Sequence, residues 1–233
     1  MASGVLCIVG MHRSGTSLLG RCLQLVGINF GRGALSVYFE NVEMLRINEE
    51  ILLRHGGSWL APPVLTEGWH LNPELDDLRE RARAYLDRAM PDDIAWGWKD
   101  PRSSFTAPFW ATVIQRPLAY VVCVRNVLDV ANSLKVRNNM SYKQSGDLWL
   151  SYTKAAMQHK PATIVPYEGI VRHPKHTCRK FRQWVGLASN NDIEKAFCTM
   201  PNTKARISSL KAMHDEPAFS DETKALCDEV MRG

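Results

Sequence analysis

Residues 5–17, VLCIVGMHRSGTS, decide the fold of this chain. The apolar run 5–9 predicts a buried strand, and a helical pattern of apolar residues follows the loop at once. A strand, a loop bounded by Gly10 and Gly15, and a helix form an arrangement that binds phosphate. The reason is that backbone N–H groups and the helix dipole both favour an anion at a helix N-terminus. We therefore predict a phosphate-binding loop at residues 10–17.

The loop departs from a nucleotide P-loop at one position. Its spacing matches G-x-x-x-x-G-K-[ST], but Thr16 stands where that motif has lysine. The loop therefore lacks the lysine that grips the β and γ phosphates of ATP, and it carries Arg13 instead. This combination predicts a loop that binds a phosphate-like group without the lysine contact to the β and γ phosphates of a nucleoside triphosphate.

Composition limits the classes of function. The 233 residues, 45% hydrophobic and 23% charged, fit one globular domain over 1–233. The net charge of +5 is modest, and no Lys/Arg run has the density of a nucleic-acid-binding arm. We therefore expect a small polyanionic ligand and no nucleic acid partner.

The same features predict a location in the cell. Apolar stretches stay well short of the ~20 residues that a membrane-spanning helix needs, so we expect no membrane span. The first ten residues lead into a strand without the pattern of a signal peptide. Six scattered cysteines without a C-x-x-C pair favour free thiols in a reducing compartment, so we expect a cytoplasmic protein.

Strands and helices alternate along the chain. Apolar runs predict strands at 5–9, 95–99, 119–124 and 162–166. Helical patterns lie between and after them, at 16–26, 42–54, from Asn72-Pro73 onward, and at 106–115, 127–134, 143–158, 174–185 and 189–199. Residues 28–40 and 56–71 and the C-terminal tail are predicted to be irregular. The alternation predicts a three-layer α/β fold, with a parallel sheet of about four or five strands like that of P-loop nucleotide kinases.

Three predicted strand ends carry polar residues. They are the loop 10–17, the run from Lys99 to Arg102, and Arg125. In open parallel sheets, ligands bind beyond the C-terminal ends of the strands. The three groups therefore predict one shared cleft.

From residue 5 to about 187, the chain resembles the sulfotransferases that use 3′-phosphoadenosine 5′-phosphosulfate (PAPS). Residues 12–17 look like the family's 5′-phosphosulfate loop, with Arg13 where tyrosylprotein and many carbohydrate sulfotransferases have arginine. Arg125 at a strand end, with Ser133 eight residues later, resembles the 3′-phosphate motif. Residues 98–102 (WKDPR) are similar to an element of tyrosylprotein sulfotransferases and their small single-domain relatives.

The resemblance implies transfer of a sulfuryl group from PAPS to an acceptor hydroxyl, which leaves adenosine 3′,5′-bisphosphate. Such a reaction depends mainly on positioning and charge stabilisation, and the low charge of the sulfuryl group makes a metal ion dispensable. Arg13 and Lys99 would stabilise charge on the leaving nucleotide, and Arg125 and Ser133 would hold the 3′-phosphate. The nucleotide-binding loop residues would be Arg13, Ser14, Gly15, Thr16 and Ser17.

A base must take the proton of the acceptor hydroxyl. The candidates are Glu40, His12, His55 and His70. The resemblance favours Glu40, in the run Tyr38-Phe39-Glu40-Asn41, because small relatives have an acidic residue there. A saccharide or small-molecule hydroxyl is favoured over a peptide tyrosine as the acceptor. Lys204 and Arg206 form a late basic segment that is not assigned to the nucleotide.

Plain structural alternatives stand beside these assignments. Lys99 and Arg102 would only pair with Asp100, Glu40 would only favour the start of a helix, and Tyr167-Glu168 would be structural. Two other functions also remain: an ATP- and magnesium-dependent P-loop kinase, and a non-catalytic nucleotide-binding protein. The missing loop lysine speaks against the kinase.

Overall fold

The computed structural model describes residues 4–31, 34–35, 39–90, 94–186, 190–200 and 207–232. Its strands are β1 Val5–Val9, β2 Ala34–Leu35, β3 Glu40–Asn41, β4 Trp96–Lys99, β5 Leu118–Val124 and β6 Ala162–Pro166. Its helices are α1 Thr16–Leu25, α2 Val42–Arg54, α3 Asp76–Ala89, α4 Ser103–Ala111, α5 Val127–Asn138, α6 Tyr142–Met157, α7 Tyr167–Arg172, α8 Pro174–Val185, α9 Asn191–Thr199, α10 Leu210–His214 and α11 Asp221–Arg232.

A four-stranded sheet forms the centre of the molecule, in the order β4-β1-β5-β6. All its pairings are parallel, with Val5 opposite both Trp96 and Leu118, and Val122 opposite Ile164. Every residue of β1 is buried because both faces of the sheet are covered. The predicted α/β fold with a parallel sheet is confirmed.

Two apolar clusters lie on opposite faces of this sheet. Alternate residues of β1 divide between them: Val5, Cys7 and Val9 join one cluster and Leu6 and Ile8 join the other. Helices α2 to α6 and α11 cover the first face, and α1, α7, α8 and α9 cover the second. This division gives the three layers that the sequence predicts.

Most predicted elements are present, and 42–54 and 174–185 match their helices at both ends. The helix predicted at 106–115 is wrong by about one turn: α4 starts at Ser103, whose N–H already donates to the Asp100 carbonyl (3.0 Å). After the Asn72 cap, residues 73–75 form a 3-10 turn before α3 begins.

Two segments predicted to be irregular contain regular structure. Within 28–40, β2 pairs antiparallel with β3, and Leu35 lies opposite Glu40. The C-terminal tail contains α10 and α11. The helix α11 forms because Thr223, Cys227 and Val230 recur at helical spacing and are buried on one face. In the described ranges, no helix is long and apolar enough to cross a bilayer.

A buried polar network ties α2 to the segment after β4 and to α4. The Asn48 amide donates to the Asp100 carboxylate (2.9 Å) and accepts from the hydroxyl of Thr106 (2.6 Å) and the indole of Trp110 (2.7 Å). The backbone N–H of Arg102 also donates to Asp100 (2.9 Å). Asp100 is thus a structural centre that fixes the start of α4 beside the end of β4.

We expect Asn48→Ala to lower the free energy of unfolding by roughly 2–4 kcal/mol, because it removes the amide from the Oδ2 atom of buried Asp100 and leaves the Trp110 N–H without its acceptor. Thr106→Val, which removes the hydroxyl that contacts Asn48 (2.6 Å) and the Arg102 carbonyl (3.3 Å), should cost about 1 kcal/mol. Asn138→Ala, at an exposed position on α5, should change it by less than about 0.5 kcal/mol. Urea unfolding of the three variants measures these differences. Equal effects of Asn48→Ala and Asn138→Ala would contradict the network's role.

Candidate functional site

The register of the sheet brings three polar segments to one edge. Val9 lies opposite Val122 and Ile8 lies opposite Lys99, so β1, β4 and β5 end at nearly the same level. The loop after β1, the segment after β4 and Arg125 after β5 therefore meet at the carboxyl edge of the sheet.

Two glycines let the loop after β1 pack closely against its neighbours. Gly10 has a φ of 127°, and a Cβ there would lie 2.2 Å from the carbonyl oxygen of Cys123. Gly15 has a φ of 93°, and a Cβ there would lie 2.3 Å from a ring carbon of Tyr167. Arg13 also takes a left-handed backbone, with a φ of 71°. The loop therefore cannot carry larger residues at its two glycines.

The N-terminus of α1 is left open by its own sequence. Gly15 caps it without a side-chain hydrogen bond, and no acidic residue lies in the first turn. The N–H of Ser14 is used within the loop, where it donates to the carbonyl of Met11 (3.2 Å). The N–H groups of Thr16, Ser17 and Leu18 precede the first intrahelical hydrogen bond, which Leu19 donates to Gly15 (3.0 Å), and they favour an anion.

A pocket of about 280 Å³ lies in front of this helix end. Its lining residues are His12, Arg13, Thr16, Ser17, Glu40, Trp59, Lys99, Pro101, Arg102 and Arg137. The structure thus brings five of the predicted site residues into one pocket: Arg13, Thr16, Ser17, Glu40 and Lys99. Ser14, within the loop, is fully buried and does not line the pocket, and Tyr38 lies outside the described residues.

Lys99 and Glu40 form an ion pair inside the pocket. The Lys99 ammonium donates to the Glu40 carboxylate at 2.5 Å, and the two side chains are 2% and 17% exposed. Burial lowers the pKa of Lys99 from its ordinary value, and the nearby Glu40 carboxylate opposes this shift. A carboxylate and an ammonium are therefore held side by side next to the open end of α1.

Arg102 is held by carboxylates instead. Its guanidinium contacts Asp100 (3.0 Å) and Glu49 (2.9 Å). The structural interpretation of Arg102 as a partner of Asp100 is therefore supported, whereas the hydrogen bond of Lys99 goes to Glu40.

Arg125, Arg13 and Ser133 lie next to one another. Arg13 donates through Nε to the Ser133 hydroxyl (2.8 Å), and Arg125 donates to the carbonyl oxygen of Arg13 (3.3 Å). The Arg125 guanidinium also stacks on the Tyr167 ring, 4.3 Å from its centroid. Tyr167, interpreted from the sequence as structural, therefore supports a predicted site residue as well as the loop.

The start of α5 is held from two sides. Glu168 accepts from the N–H of Asn126 (3.0 Å), and burial raises the pKa of Glu168. Asp129 accepts from the N–H and the hydroxyl of Ser208 (2.9 and 2.7 Å). The described chain thus returns to α5 at Ser208, whereas Lys204 and Arg206 lie outside the described residues.

Of the candidate histidines, only His12 lines the pocket. It is 9% exposed, and its ring packs near those of Trp59 (4.8 Å) and Tyr152 (5.6 Å). Burial lowers its pKa well below the ordinary value, and the positive charges of Arg102, Lys99, Arg137 and Arg13 add to the effect. His70 lines a separate groove, and the His55 ring contacts the carbonyl oxygen of Ile51 (2.8 Å).

Sequence reasoning missed Arg137. It lies four residues after Ser133 on α5, which puts both on one helix face, so helical spacing was the signal that could have found it. Of the tryptophans, Trp59 lines the pocket, whereas Trp96 and Trp98 are buried in the core. The groups that could hold a phosphate-like ligand are the open end of α1 and the cations around it.

Two solved structures identify the fold. The sulfotransferase domain of the olefin synthase from Synechococcus PCC 7002 has a TM-score of 0.57 and 14% identity, covering 99% of this chain and 94% of that chain. The sulfotransferase STF9 from Mycobacterium avium has a TM-score of 0.53 and 11% identity, covering 92% of this chain and 75% of that chain. No family model and no curated protein matches the sequence.

We expect His12 to make the stability depend on pH. In the unfolded chain its pKa has the ordinary value of about 6.5, whereas burial in the folded chain lowers the pKa well below that value. The free energy of unfolding should therefore fall as the pH drops below about 6.5, by up to about 1.4 kcal/mol per pH unit for this group. Urea unfolding at pH 7 and pH 5 should show a smaller loss for His12→Gln than for the parent. His176→Gln, at an exposed position, should behave as the parent; a loss in His12→Gln equal to the parent's would contradict this account.

Proposed function

We propose that this chain, which has the sulfotransferase fold, transfers the sulfuryl group of PAPS to an acceptor hydroxyl and releases adenosine 3′,5′-bisphosphate. The observation that carries the proposal is the Lys99–Glu40 pair beside the open end of α1. An anion-binding helix end, a buried ammonium and a carboxylate in one pocket supply the groups that this transfer needs. The whole chain, 1–233, is taken as one sulfotransferase domain.

The donor would lie between the loop and the start of α5. The first-turn N–H groups of α1 and the Arg13 guanidinium would meet the 5′-phosphosulfate. Arg125 and Ser133 would hold the 3′-phosphate, which ATP lacks. Their contacts with Arg13 support this assignment, because they join the two anion sites into one surface.

The residues divide the chemistry between them. The acceptor oxygen forms a bond to sulfur while the bond from sulfur to the bridging phosphate oxygen breaks, and the hydroxyl proton passes to the Glu40 carboxylate. Lys99 holds that carboxylate in position and adds a positive charge near the bridging oxygen of the leaving nucleotide. Arg13 stabilises the charge that develops on the leaving nucleotide.

The transfer would need no metal ion, because the sulfuryl group carries less charge than a phosphoryl group and Arg13 and Lys99 supply positive charge. The acceptor would be a saccharide or small molecule whose ring contacts Trp59 at the pocket wall. The cytoplasmic location stays a prediction.

We expect the parent to bind adenosine 3′,5′-bisphosphate roughly ten- to a hundredfold more tightly than AMP, since a hydrogen bond to a charged group contributes about 1.5–3 kcal/mol. Arg125→Ala should remove most of this preference and Ser133→Ala part of it. Lys143→Ala, which removes an exposed cation on α6, should leave it unchanged. Calorimetric titration measures the ratio. A preference that survives Arg125→Ala would exclude this residue from the 3′-phosphate site.

We expect Glu40→Gln to lower PAPS-dependent turnover by roughly 10²–10⁴-fold, because the amide cannot take the hydroxyl proton. Binding of adenosine 3′,5′-bisphosphate should stay within a few-fold of the parent. Glu43→Gln is the matched control, since Glu43 pairs with Arg81 outside the pocket. Release of the bisphosphate with an acceptor mixture measures turnover. If Glu40→Gln turned over within a few-fold of the parent, Glu40 would not be the base.

A further inference from the structure

The pocket has an excess of positive charge. Four cationic side chains line it, and within the described part of the chain Glu40 is the one carboxylate among its lining residues. Lys99 is paired with Glu40, and Arg102 is paired with Asp100 and Glu49. These pairs account for two of the cations, which leaves Arg13 and Arg137 to be explained.

Arg13 belongs to the donor side of the pocket. It lies within the phosphate-binding loop and contacts Ser133 on α5. Under the proposed function it contacts the 5′-phosphosulfate, where positive charge stabilises the charge that develops on the leaving nucleotide. The donor therefore explains Arg13 and leaves Arg137 as the one lining cation without an assigned partner.

Arg137 lies farther along α5. The helix begins at Val127, two residues after Arg125, and passes Ser133 before it reaches Arg137, which is about 6 Å beyond Ser133 at the rise of an α-helix. It is exposed, and no carboxylate of the described ranges pairs with it. Its charge also lowers the pKa of His12, so its field acts within the pocket.

The pocket that Arg137 lines also has an aromatic part. Trp59 and His12 line the same pocket, with their rings 4.8 Å apart. Burial, and then the positive charges of Arg102, Lys99, Arg137 and Arg13, lower the pKa of His12, which disfavours a further cation at this wall. The His12 Nε2 atom is buried and has no hydrogen-bond partner in the described structure. An aromatic wall and an exposed guanidinium in one pocket suit a ring that bears an anionic group.

We propose that the acceptor is anionic: a hydroxylated ring compound that carries a carboxylate or a sulfate ester, which the Arg137 guanidinium binds. The acceptor ring lies against Trp59, and its hydroxyl points to Glu40. This inference rests on the proposed function and names the substrate class of the same pocket. Arg137 is then a specificity-determining residue, because it binds a part of the acceptor that does not react.

Pairs of related acceptors, in which one member carries an anionic group and the other a neutral group at the same position, test the proposal. Two pairs test a carboxylate: methyl glucuronide with methyl glucoside, and 4-hydroxybenzoate with its methyl ester. A third pair, glucose 6-sulfate with glucose, tests a sulfate ester as the anionic group. Each is titrated into the full chain loaded with adenosine 3′,5′-bisphosphate, and kcat/KM is measured with PAPS. We expect at least one anionic member to bind tenfold or more tightly than its neutral partner.

Variants of α5 locate the effect. Arg137→Gln should remove the preference for the anionic member, and Arg137→Lys should keep part of it. Lys135→Gln is the matched control, because it removes one positive charge from the same helix at a position that does not line the pocket. Binding of the bisphosphate should be the same in all of them.

Three results would overturn the inference: no anionic member binds more tightly than its neutral partner, the preference survives Arg137→Gln, or Arg137→Gln weakens bisphosphate binding as strongly as acceptor binding. The last result would move Arg137 to the donor site. A parent that does not bind the bisphosphate contradicts the proposed function itself. Failure of the substrate class and failure of the reaction are thus distinguishable.

Discussion

The parallel pairing of β1 with β4 and β5 is the constraint on which the site depends. With Ile8 opposite Lys99 and Val9 opposite Val122, three strands end at one level. The loop 10–15 can turn there only because Gly10 packs against the Cys123 carbonyl without a side chain. A shift of one residue in this register would turn Lys99 toward the opposite face of the sheet and separate it from the pocket.

The free-energy cost of burying the Lys99 ammonium explains why Glu40 lies in direct contact with it. A buried ammonium without a partner is expensive, and Glu40 offsets that cost by direct contact. Glu40 lies on β3, which pairs with β2 in a short hairpin, and Asn41 next to it caps α2. Asp100 is fixed by Asn48 and Arg102. Glu40, the proposed base, and Asp100, which stabilises the fold, are therefore two different carboxylates.

How much the sequence predicts depends on the range of the interaction. Local patterns predict α2 and the strand–loop–helix unit, because periodicity and glycine positions are local properties. The strands β2 and β3 are too short to show a periodic pattern. Lys99 and Glu40 are far apart in the sequence, so their contact leaves no local signal and only the resemblance favoured Glu40. Arg137 carries no motif, and the structure assigns it to the pocket through the direction of α5. The helix α11 has helical spacing at Thr223, Cys227 and Val230, so the local pattern that predicts α2 could also have predicted α11.

The most direct test of sulfuryl transfer is the choice of nucleotide. The full chain is titrated calorimetrically with adenosine 3′,5′-bisphosphate in the absence of metal, and separately with ATP and magnesium. A loop without the P-loop lysine, next to Arg125 and Ser133, predicts tight binding of the bisphosphate and much weaker binding of ATP. Tighter binding of ATP with magnesium would contradict the account and make this chain a divergent P-loop kinase.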